Sequence, residues 1–403
     1  MSAVEHRPVA AGLDARGAVR APRDRVPAAP VAEARVDLGA VADNVGLVAR
    51  STDAGVMAVV KADGFGHGGV RTARAAVAGG AGWLGVTSGA EALELRAAGV
   101  TAPILCWLTA PTQDFRAVIA ADVDVAVSTV PHLRSVAEDA ARLSTRAVVQ
   151  LEADTGLSRN GARPGDWCEL VAAARRLERR GLVRVRGIWS HLAHADRPSH
   201  PGVDEQRRLF DELVGQARAG GLDPELLHLA NSAAALGHPG THYDLVRAGL
   251  AVYGVEPVAG RVFGLRPAMT LCARLINAKR VPAGTGVSYG HRYTTAAAGA
   301  LGLVPLGYAD GVPRAASGSA EVWVGGARRP VAGLVCMDQF VVDLGGGGAA
   351  TGDEVVLFGP GDRGEPTVLD WARWARTNPH EVLTGIGGRV PRRYPRAAGA
   401  PRG

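Results

Sequence analysis

The chain has 403 residues, of which 47% are hydrophobic and 5% aromatic, and its formal net charge is +6. A chain of this length can fill two domains, each with its own core. The positive charges come largely from scattered arginines, and few aromatic side chains are present to stack on bases. We therefore expect no nucleic-acid partner and favour a basic pocket for anionic small molecules.

The spacing of the cysteines and the length of the apolar runs exclude further classes of protein. The chain has four widely spaced cysteines without a CxxC pair, Cys106, Cys168, Cys272 and Cys336. This pattern predicts neither a disulfide framework nor a metal site. No apolar run reaches membrane-spanning length, and residues 1–33 lack the apolar segment of a signal peptide. We expect a cytoplasmic protein without a membrane partner, in which residues 1–33 form a disordered extension and residues 395–403 a basic tail.

Beyond a first strand and helix within residues 34–45, apolar strands alternate with amphipathic helices. Eight strands are predicted, near 57–60, 83–86, 104–108, 124–128, 147–152, 183–190, 226–230 and 244–247. Helices are predicted near 69–79, 88–99, 131–142, 166–179 and 203–219. Eight strand–helix units predict an α/β fold, a TIM-type (β/α)₈ barrel over residues 34–265.

The residues that follow these strands are mostly polar. In chain order they are Lys61, Thr87, Leu108, Ser128, Glu152, His191, Asn231 and Arg247. Active sites of such barrels lie at this end, and the loops after the seventh and eighth strands commonly bind phosphate. Ser232 offers a hydroxyl donor there, and Gly249 lets a backbone N–H approach an anion closely.

Lys61 ends the apolar run Met57–Val60 and precedes a glycine-rich segment. Burial at this point would lower the pKa of its amine and favour a nucleophile or Schiff-base role. The alternative is that Lys61 only begins a solvated loop. A lysine that faces a phosphate site is a physical case for pyridoxal 5'-phosphate (PLP) as cofactor.

After residue 265 the pattern changes to short alternating stretches separated by Gly, Pro and Asp. These stretches lie at 271–281, 300–306, 320–324, 331–336, 340–344 and 354–358, with one helix near 367–376. They predict a mainly-β domain over residues 266–394. Arg392 and Arg393 are expected to lie in a solvated terminus.

Eight segments of the chain resemble motifs of the alanine racemases, in the order in which that family carries them. They are VVKADGFGHG (59–68), DTGLSRNG (154–161), SHL (190–192), HLANSA (228–233), VRAGL (246–250), VSYG (287–290), GYADG (307–311) and VCMDQ (335–339). The resemblance covers residues 34–394. It implies a fold-type-III PLP enzyme that racemises alanine for peptidoglycan, as a homodimer whose subunits share their active sites.

The resemblance also implies roles for individual residues. Lys61 would hold PLP and act as the base on one face of the substrate, and Tyr289 of the partner subunit would be the base on the other. His191 and Arg247 would support Tyr289, and Arg247 would bind the pyridine nitrogen. The phosphate would be held by Asn231, Ser232, Gly249, Leu250 and His380. The substrate would contact Arg159, Glu152, Met337 and Asp338.

Three positions depart from the family pattern. Phe65 and His380 stand where the family usually has tyrosines near the phosphate, and Glu152 stands where many members have a carbamylated lysine. We expect Glu152 to pair directly with Arg159; otherwise it is an ordinary strand-end carboxylate. The departures leave open a racemase of altered specificity, for serine or several amino acids, or a PLP enzyme of specialised metabolism.

A different class is a non-catalytic PLP-binding protein. Tyr289 and the segment 335–339 argue against it. A fold-type-III decarboxylase is also disfavoured, because the chain lacks that family's glycine-rich phosphate loop and catalytic-cysteine segment.

Overall fold

The computed structural model describes residues 30–395. The predicted extension up to residue 29 and the predicted tail from residue 396 lie outside this range. The described chain opens with strand β1 (Ala32–Val36), and a barrel follows. None of the helices within residues 30–395 combines the length and the apolarity needed to cross a membrane.

The barrel consists of eight parallel strands surrounded by helices. The strands are β2 (Gly55–Val59), β3 (Trp83–Val86), β4 (Ile104–Cys106), β5 (Val123–Val127), β6 (Ala147–Glu152), β7 (Val183–Trp189), β8 (Leu226–His228) and β9 (Leu245–Ala248). The helical segments are α1 (Leu38–Arg50), α2 (Lys61–Phe65), α3 (Gly69–Ala78), α4 (Gly89–Ala97), α5 (Arg116–Ala120), α6 (Val130–Arg142), α7 (Pro164–Arg179), α8 (Gly202–Ala219) and α9 (Ser232–Gly237).

The parallel strands pair in the order β9-β2-β3-β4-β5-β6-β7-β8. The circle closes between β8 and β9, where Asp244 N donates to Leu227 O and Arg247 N donates to Ala230 O, both at 3.0 Å. This arrangement confirms the predicted barrel. Its strands were recognisable because both faces of a parallel strand are buried, which makes the strand a continuous apolar run.

The barrel has an outer and an inner core. The outer core packs the strands against the helices and is made of Val, Leu and Ala side chains. The inner apolar cluster is much smaller: Met57, Leu105, Ala126, Trp189 and Leu245. Polar side chains fill part of the remaining interior, since Asp124, Gln150 and His228 are also buried.

The second unit is mainly β, as predicted. Its strands are β10 (Met269–Arg274), β11 (Asn277–Val281), β12 (Gly286–Val287), β13 (Tyr293–Thr294), β14 (Gly299–Val304), β15 (Glu321–Val324), β16 (Ala327–Ala332), β17 (Phe340–Gly345), β18 (Glu354–Phe358) and β19 (Arg392–Arg393). Its helices are α10 (Val368–Ala375) and α11 (Pro379–Gly385). Nine strands form one sheet in the order β11-β14-β17-β16-β15-β18-β10-β1-β19.

Both ends of the described chain differ from the predictions. Strand β1 pairs with β10 and β19, so residues 34–36 belong to the second sheet and not to the barrel. Ala32, Ala34 and Val36 alternate inward and fill the core of that sheet. Residues 32 and 33, which we expected in the disordered extension, are therefore ordered strand.

Arg392 is not part of a solvated terminus. Its strand, β19, pairs with β1, and its guanidinium donates to the carbonyl oxygens of Gly66, Ile386, Gly387 and Val390. These contacts bring the end of the chain against the barrel. Arg393 is exposed, as expected.

Candidate active site

Lys61 stands where the chain leaves β2, at the start of a left-handed turn. Ala62, Asp63 and Phe65 have φ angles of 53°, 52° and 51°, a region that residues with a Cβ rarely adopt. Glu91, in the first turn of α4, accepts the N–H of Ala62 at 2.7 Å through Oε1. Glu91, which follows the neighbouring strand β3, therefore holds the turn in place and fixes the direction of the Lys61 side chain.

The C-terminal segment holds the same turn from the opposite side. Arg392 Nε donates to Gly66 O at 2.8 Å, and the Tyr394 hydroxyl donates to His67 O at 3.0 Å. The His67 ring is buried with Nδ1 3.0 Å from two carbonyl oxygens of the turn, as expected of a structural histidine. The position of Lys61 thus depends on both units.

The surroundings of Lys61 favour its neutral amine. The residue is partly buried, and this burial, with the positive charge of Arg159, lowers the pKa of the amine. Its Nζ lies 5.9 Å from the centre of the Trp107 ring, beyond the end of β4. A neutral amine is the form that attacks a carbonyl carbon, so the solvated-loop alternative is disfavoured.

Arg247 is buried, and backbone carbonyls hold the terminal nitrogens of its guanidinium. Its two terminal nitrogens donate to the carbonyl oxygens of Ser190, His228 and Leu229 at 2.7–3.1 Å. Burial lowers the pKa of the guanidinium to about 10, which still leaves it protonated at neutral pH. Within residues 30–395, the Nε of Arg247 has no hydrogen-bond partner. One donor of this buried cation is therefore free to bind a ligand.

His191 lies beside Arg247, with Nδ1 3.4 Å from Nη2 of the arginine. Burial, followed by the charges of Arg247, Arg159 and Lys61, lowers the pKa of His191 to about 3. The imidazole is therefore neutral. Any positive charge supplied to a tyrosine near this point comes from Arg247 and not from His191 itself.

Glu152 does not pair with Arg159, contrary to our expectation. Its Oε2 instead accepts from Ser128 Oγ at 3.1 Å and from Asn160 Nδ2 at 2.5 Å, while Arg159 is exposed in this chain. Burial raises the pKa of Glu152 to about 7, against the opposing effects of Ser128 and the nearby arginines. The buried end of β6 holds the carboxylate in place, so an arginine in the exposed loop that follows is not needed to bind it.

Ser232 and Gly249 form a cup where β8 and β9 end. The Ser232 hydroxyl oxygen accepts the N–H of Gly249 at 2.8 Å and that of Ala251 at 3.3 Å, which ties the two loops together. The hydroxyl proton remains available to a ligand. The Leu250 side chain is buried in the core of the second sheet. Asn231 uses its Oδ1 to cap α9, so that oxygen supports the loop instead of facing a ligand.

Phe65 and His380 lie at the rim of the cup. The two rings are 5.6 Å apart, and His380 comes from the first turn of α11 in the β unit. Helix α11 was not predicted, although Asn378 caps it and Pro379 stands at its first position. The sequence N-P-H-E carried this signal.

Tyr289, Met337 and Asp338 lie on the surface of the β unit. The exposed fractions of Tyr289 and Met337 are 74% and 54% in the single chain, and Asp338 forms an ion pair with Arg389 at 2.8 Å. Ser288, just before Tyr289, has a φ of 61°. The barrel candidates therefore come together within one chain, whereas these three residues face outward.

Sequence reasoning missed four residues that shape the site. Trp107 and Glu91 flank Lys61 and its turn, and His228 and Gln150 lie behind Arg247. Polar residues inside apolar strands were the available signal, since Gln150 interrupts β6 and His228 ends β8. Glu91 also forms the capping box of α4 with Ser88.

The residues present fit PLP. A Cβ added to Gly249 would lie 3.4 Å from the Phe65 ring and 3.7 Å from Val59, so a side chain there would fill the cup. The free Nε of Arg247 and the amine of Lys61, whose pKa is lowered, suit the ring nitrogen and the aldehyde carbon of that cofactor. A barrel with these groups, joined to a β domain, is the architecture of fold-type-III PLP enzymes.

Comparison with known proteins identifies the family. Models described as "Alanine racemase, N-terminal domain" and "Alanine racemase, C-terminal domain" match residues 36–257 and 268–394. The alanine racemase of Frankia casuarinae is 54% identical over 364 residues, which cover 89% of this chain and 95% of the relative. That of Streptomyces coelicolor is 53% identical over 373 residues, which cover 90% and 95%.

Comparison with solved structures identifies the same family. The crystal structure of alanine racemase from D-cycloserine producing Streptomyces lavendulae has a TM-score of 0.89 at 50% identity, and the match covers 92% of this chain and 98% of that one. The chain belongs to the alanine racemase family, a family of PLP-dependent isomerases, as the resemblance of its motifs predicted.

Proposed function

We propose that the protein interconverts L- and D-alanine with PLP, by two bases on opposite faces of the substrate. The observation that carries the proposal is the arrangement around Lys61. A partly buried amine of lowered pKa lies in the same barrel mouth as a buried arginine with one free N–H and the cup formed by Ser232 and Gly249. The relatives of this chain are named for the same reaction.

Each group has a defined task in this proposal. PLP, when bound, supplies the electron sink that makes the Cα proton acidic. Lys61 Nζ removes or returns that proton on one face, and Tyr289 of the partner subunit does so on the other. Arg159, with the backbone of Met337, orients the substrate carboxylate. Because Arg247 can only donate, its Nε leaves the ring nitrogen as an acceptor without a proton.

A homodimer is part of the proposal because one chain leaves Tyr289 and Met337 exposed. Lys61→Ala and Tyr289→Phe variants test it when they are mixed and allowed to exchange subunits. If each site combines one barrel with the partner's β unit, each mixed dimer contains one site without either substitution. Random exchange should then restore roughly a quarter of the wild-type sites. No recovery after verified exchange would contradict shared sites.

A racemase of altered specificity is the second candidate. Phe65 removes a hydroxyl that a tyrosine would offer, and His380 is exposed at the rim of the cup, which leaves the site mouth more polar. Either change can admit a substrate larger than alanine.

We place the enzyme in the cytoplasm, since Cys106, Cys168, Cys272 and Cys336 are all unpaired, as in a reducing compartment. D-alanine for peptidoglycan would be its product.

Cα-proton exchange in D₂O tests the reaction directly. NMR of the PLP-loaded protein with L-alanine, D-alanine or serine should show exchange from both alanine enantiomers and loss of optical activity. Faster exchange on serine would favour the second candidate, and no exchange on any of them would refute both. Borohydride reduction followed by mass spectrometry should label Lys61 and leave Lys279, the other lysine of the chain, unlabelled.

A further inference from the structure

A network of buried polar side chains runs through the barrel interior behind Arg247. Arg247 Nη1 donates to Nδ1 of His228 at 3.0 Å, and His228 Nε2 lies 2.7 Å from Oε1 of Gln150. Gln150 Nε2 donates to Oδ2 of Asp124 at 2.7 Å. Asp124 Oδ1 accepts from Arg186 Nη1, also at 2.7 Å. These five residues, the interior network, lie on strands β9, β8, β6, β5 and β7.

Hydrogen-bond chemistry permits one assignment of donors along the interior network. Arginine can only donate, so Nδ1 of His228 accepts and the proton of the neutral ring sits on Nε2. That N–H requires Oε1 of Gln150 as acceptor, and the Gln150 amide then donates to Asp124. The sequence of donors ends at the carboxylate of Asp124, which cannot donate when ionised.

Burial shows that the interior network is built into the core. The exposed fractions of Asp124, Gln150 and His228 are 1%, 0% and 0%. Strand β7 makes room for it, because a Cβ on Gly187 would lie 3.0 Å from Oε1 of Gln150. The Trp189 ring is parallel to the His228 ring, with 5.7 Å between the ring centres.

His228 is neutral in this setting. Burial and the charge of Arg247 hold the pKa of His228 well below its ordinary value. Asp124 is the carboxylate at the end of the network, and Arg186 shields it at the far end with a side chain that is 18% exposed. Burial raises the pKa of Asp124 to about 6, so the carboxylate is mostly ionised at neutral pH.

We propose that Asp124 is a positioning residue of the active site, which acts through Gln150 and His228 to aim the free Nε of Arg247 at the cofactor ring. Without Asp124 the amide of Gln150 can turn over, and the proton of His228 can move to Nδ1. An N–H would then face Nη1 of Arg247, donor against donor, and the guanidinium would be displaced. The inference rests on the proposed function only for the identity of the group that Arg247 meets.

NMR of histidine nitrogens tests whether the interior network sets the tautomer of His228. In ¹⁵N-histidine-labelled wild-type protein, with and without PLP, His228 should be a neutral Nε2–H tautomer; the signal is assigned by its loss in His228→Gln. An Nδ1–H tautomer or a protonated ring in the wild type would overturn the inference. This measurement does not depend on activity.

Variants of Asp124 test whether this residue positions Arg247 for cofactor binding. Asp124→Leu should weaken PLP binding about ten- to a hundredfold, because buried donors lose their acceptors, and should mix the His228 tautomers. Asp124→Asn retains one oxygen for the buried Gln150 amide and leaves Arg186 to turn toward water, so it should recover most of the affinity. If Asp124→Leu does not fold, Gln150→Met interrupts the network one step closer, with the same expectation.

Asp139→Leu is the matched control. Asp139 is also a buried carboxylate, which accepts from the backbone N–H of Phe115 and from Arg142, but it lies on α6 outside the barrel strands. Its loss should lower stability without changing PLP affinity or the His228 tautomer. A purely structural role for Asp124 would show the same pattern and would refute the inference. If the wild type bound PLP but exchanged no Cα proton, the proposed function alone would fail.

Discussion

Replacing Glu152 with glutamine removes a buried charge and preserves its hydrogen bonds. The glutamine oxygen can accept from Ser128 and Asn160 as Glu152 Oε2 does. Burial raises the pKa of Glu152 from 4.5 to about 7, and such a rise corresponds to about 3 kcal/mol at 1.36 kcal/mol per pKa unit. The wild type is therefore expected to carry a cost in stability for keeping this carboxylate ionised.

The sign of the effect follows from proton binding. A raised pKa means that the folded state binds the proton more tightly than the unfolded chain, so this contribution to stability is present below about pH 4.5 and is lost as the pH rises through about 7. Between about pH 5 and about pH 8.5 the wild type should lose about 2–3 kcal/mol that Glu152→Gln does not lose. The variant should therefore be the more stable protein at alkaline pH.

Urea unfolding at both pH values and fixed protein concentration measures the difference. Glu94→Gln, which changes an exposed glutamate on α4, serves as the control. The KM for alanine should rise in Glu152→Gln, because Arg159 loses a nearby anion. A stability difference between wild type and variant that is the same at both pH values would refute the reasoning about burial. An unchanged KM would remove Glu152 from the substrate site.

Three further substitutions have direct readouts. Arg392→Met should cost about 2–3 kcal/mol in urea unfolding because four carbonyl contacts are lost, whereas the exposed Arg393→Met should cost little; equal losses would contradict this. Phe65→Tyr should tighten PLP binding roughly two- to tenfold in equilibrium dialysis, and no change would mean that the new hydroxyl does not reach the phosphate. Gly85→Ala places a Cβ 2.4 Å from the Trp107 ring, so it should lower the free energy of unfolding by about 1–3 kcal/mol and reduce PLP loading. The same substitution at a glycine with open space around it should do neither.

The sequence determined the barrel well because buried parallel strands are continuous apolar runs and the glycines and caps between them mark helix ends. All eight strands lie within a few residues of their predicted positions. Alternating strands of the β unit were harder to place. We expected a strand at 331–336, and β16 instead spans Ala327–Ala332. Its first half was missed because Arg328, Arg329 and Pro330 interrupt the apolar pattern there.

The sequence also predicted which residues lie at the barrel mouth, since Lys61, Arg247, Ser232 and Gly249 stand at or directly after the ends of strands. It did not predict which side chains contact one another there. Only the folded chain places Glu152 against Ser128 and Asn160, because these contacts depend on the pairing of β5 with β6 and on the path of the loop after β6.

Tertiary structure alone also decided how the two ends of the chain are used. Strand β1 crosses to the second sheet, and Arg392 contacts Gly66, 326 positions earlier, in the turn that follows Lys61. No local pattern encodes such contacts, because the carbonyls that attract Arg392 are backbone groups that any sequence possesses. The interior network behind Arg247 has the same origin: a sequence shows isolated polar residues within apolar strands, and only closure of the barrel turns them toward one another.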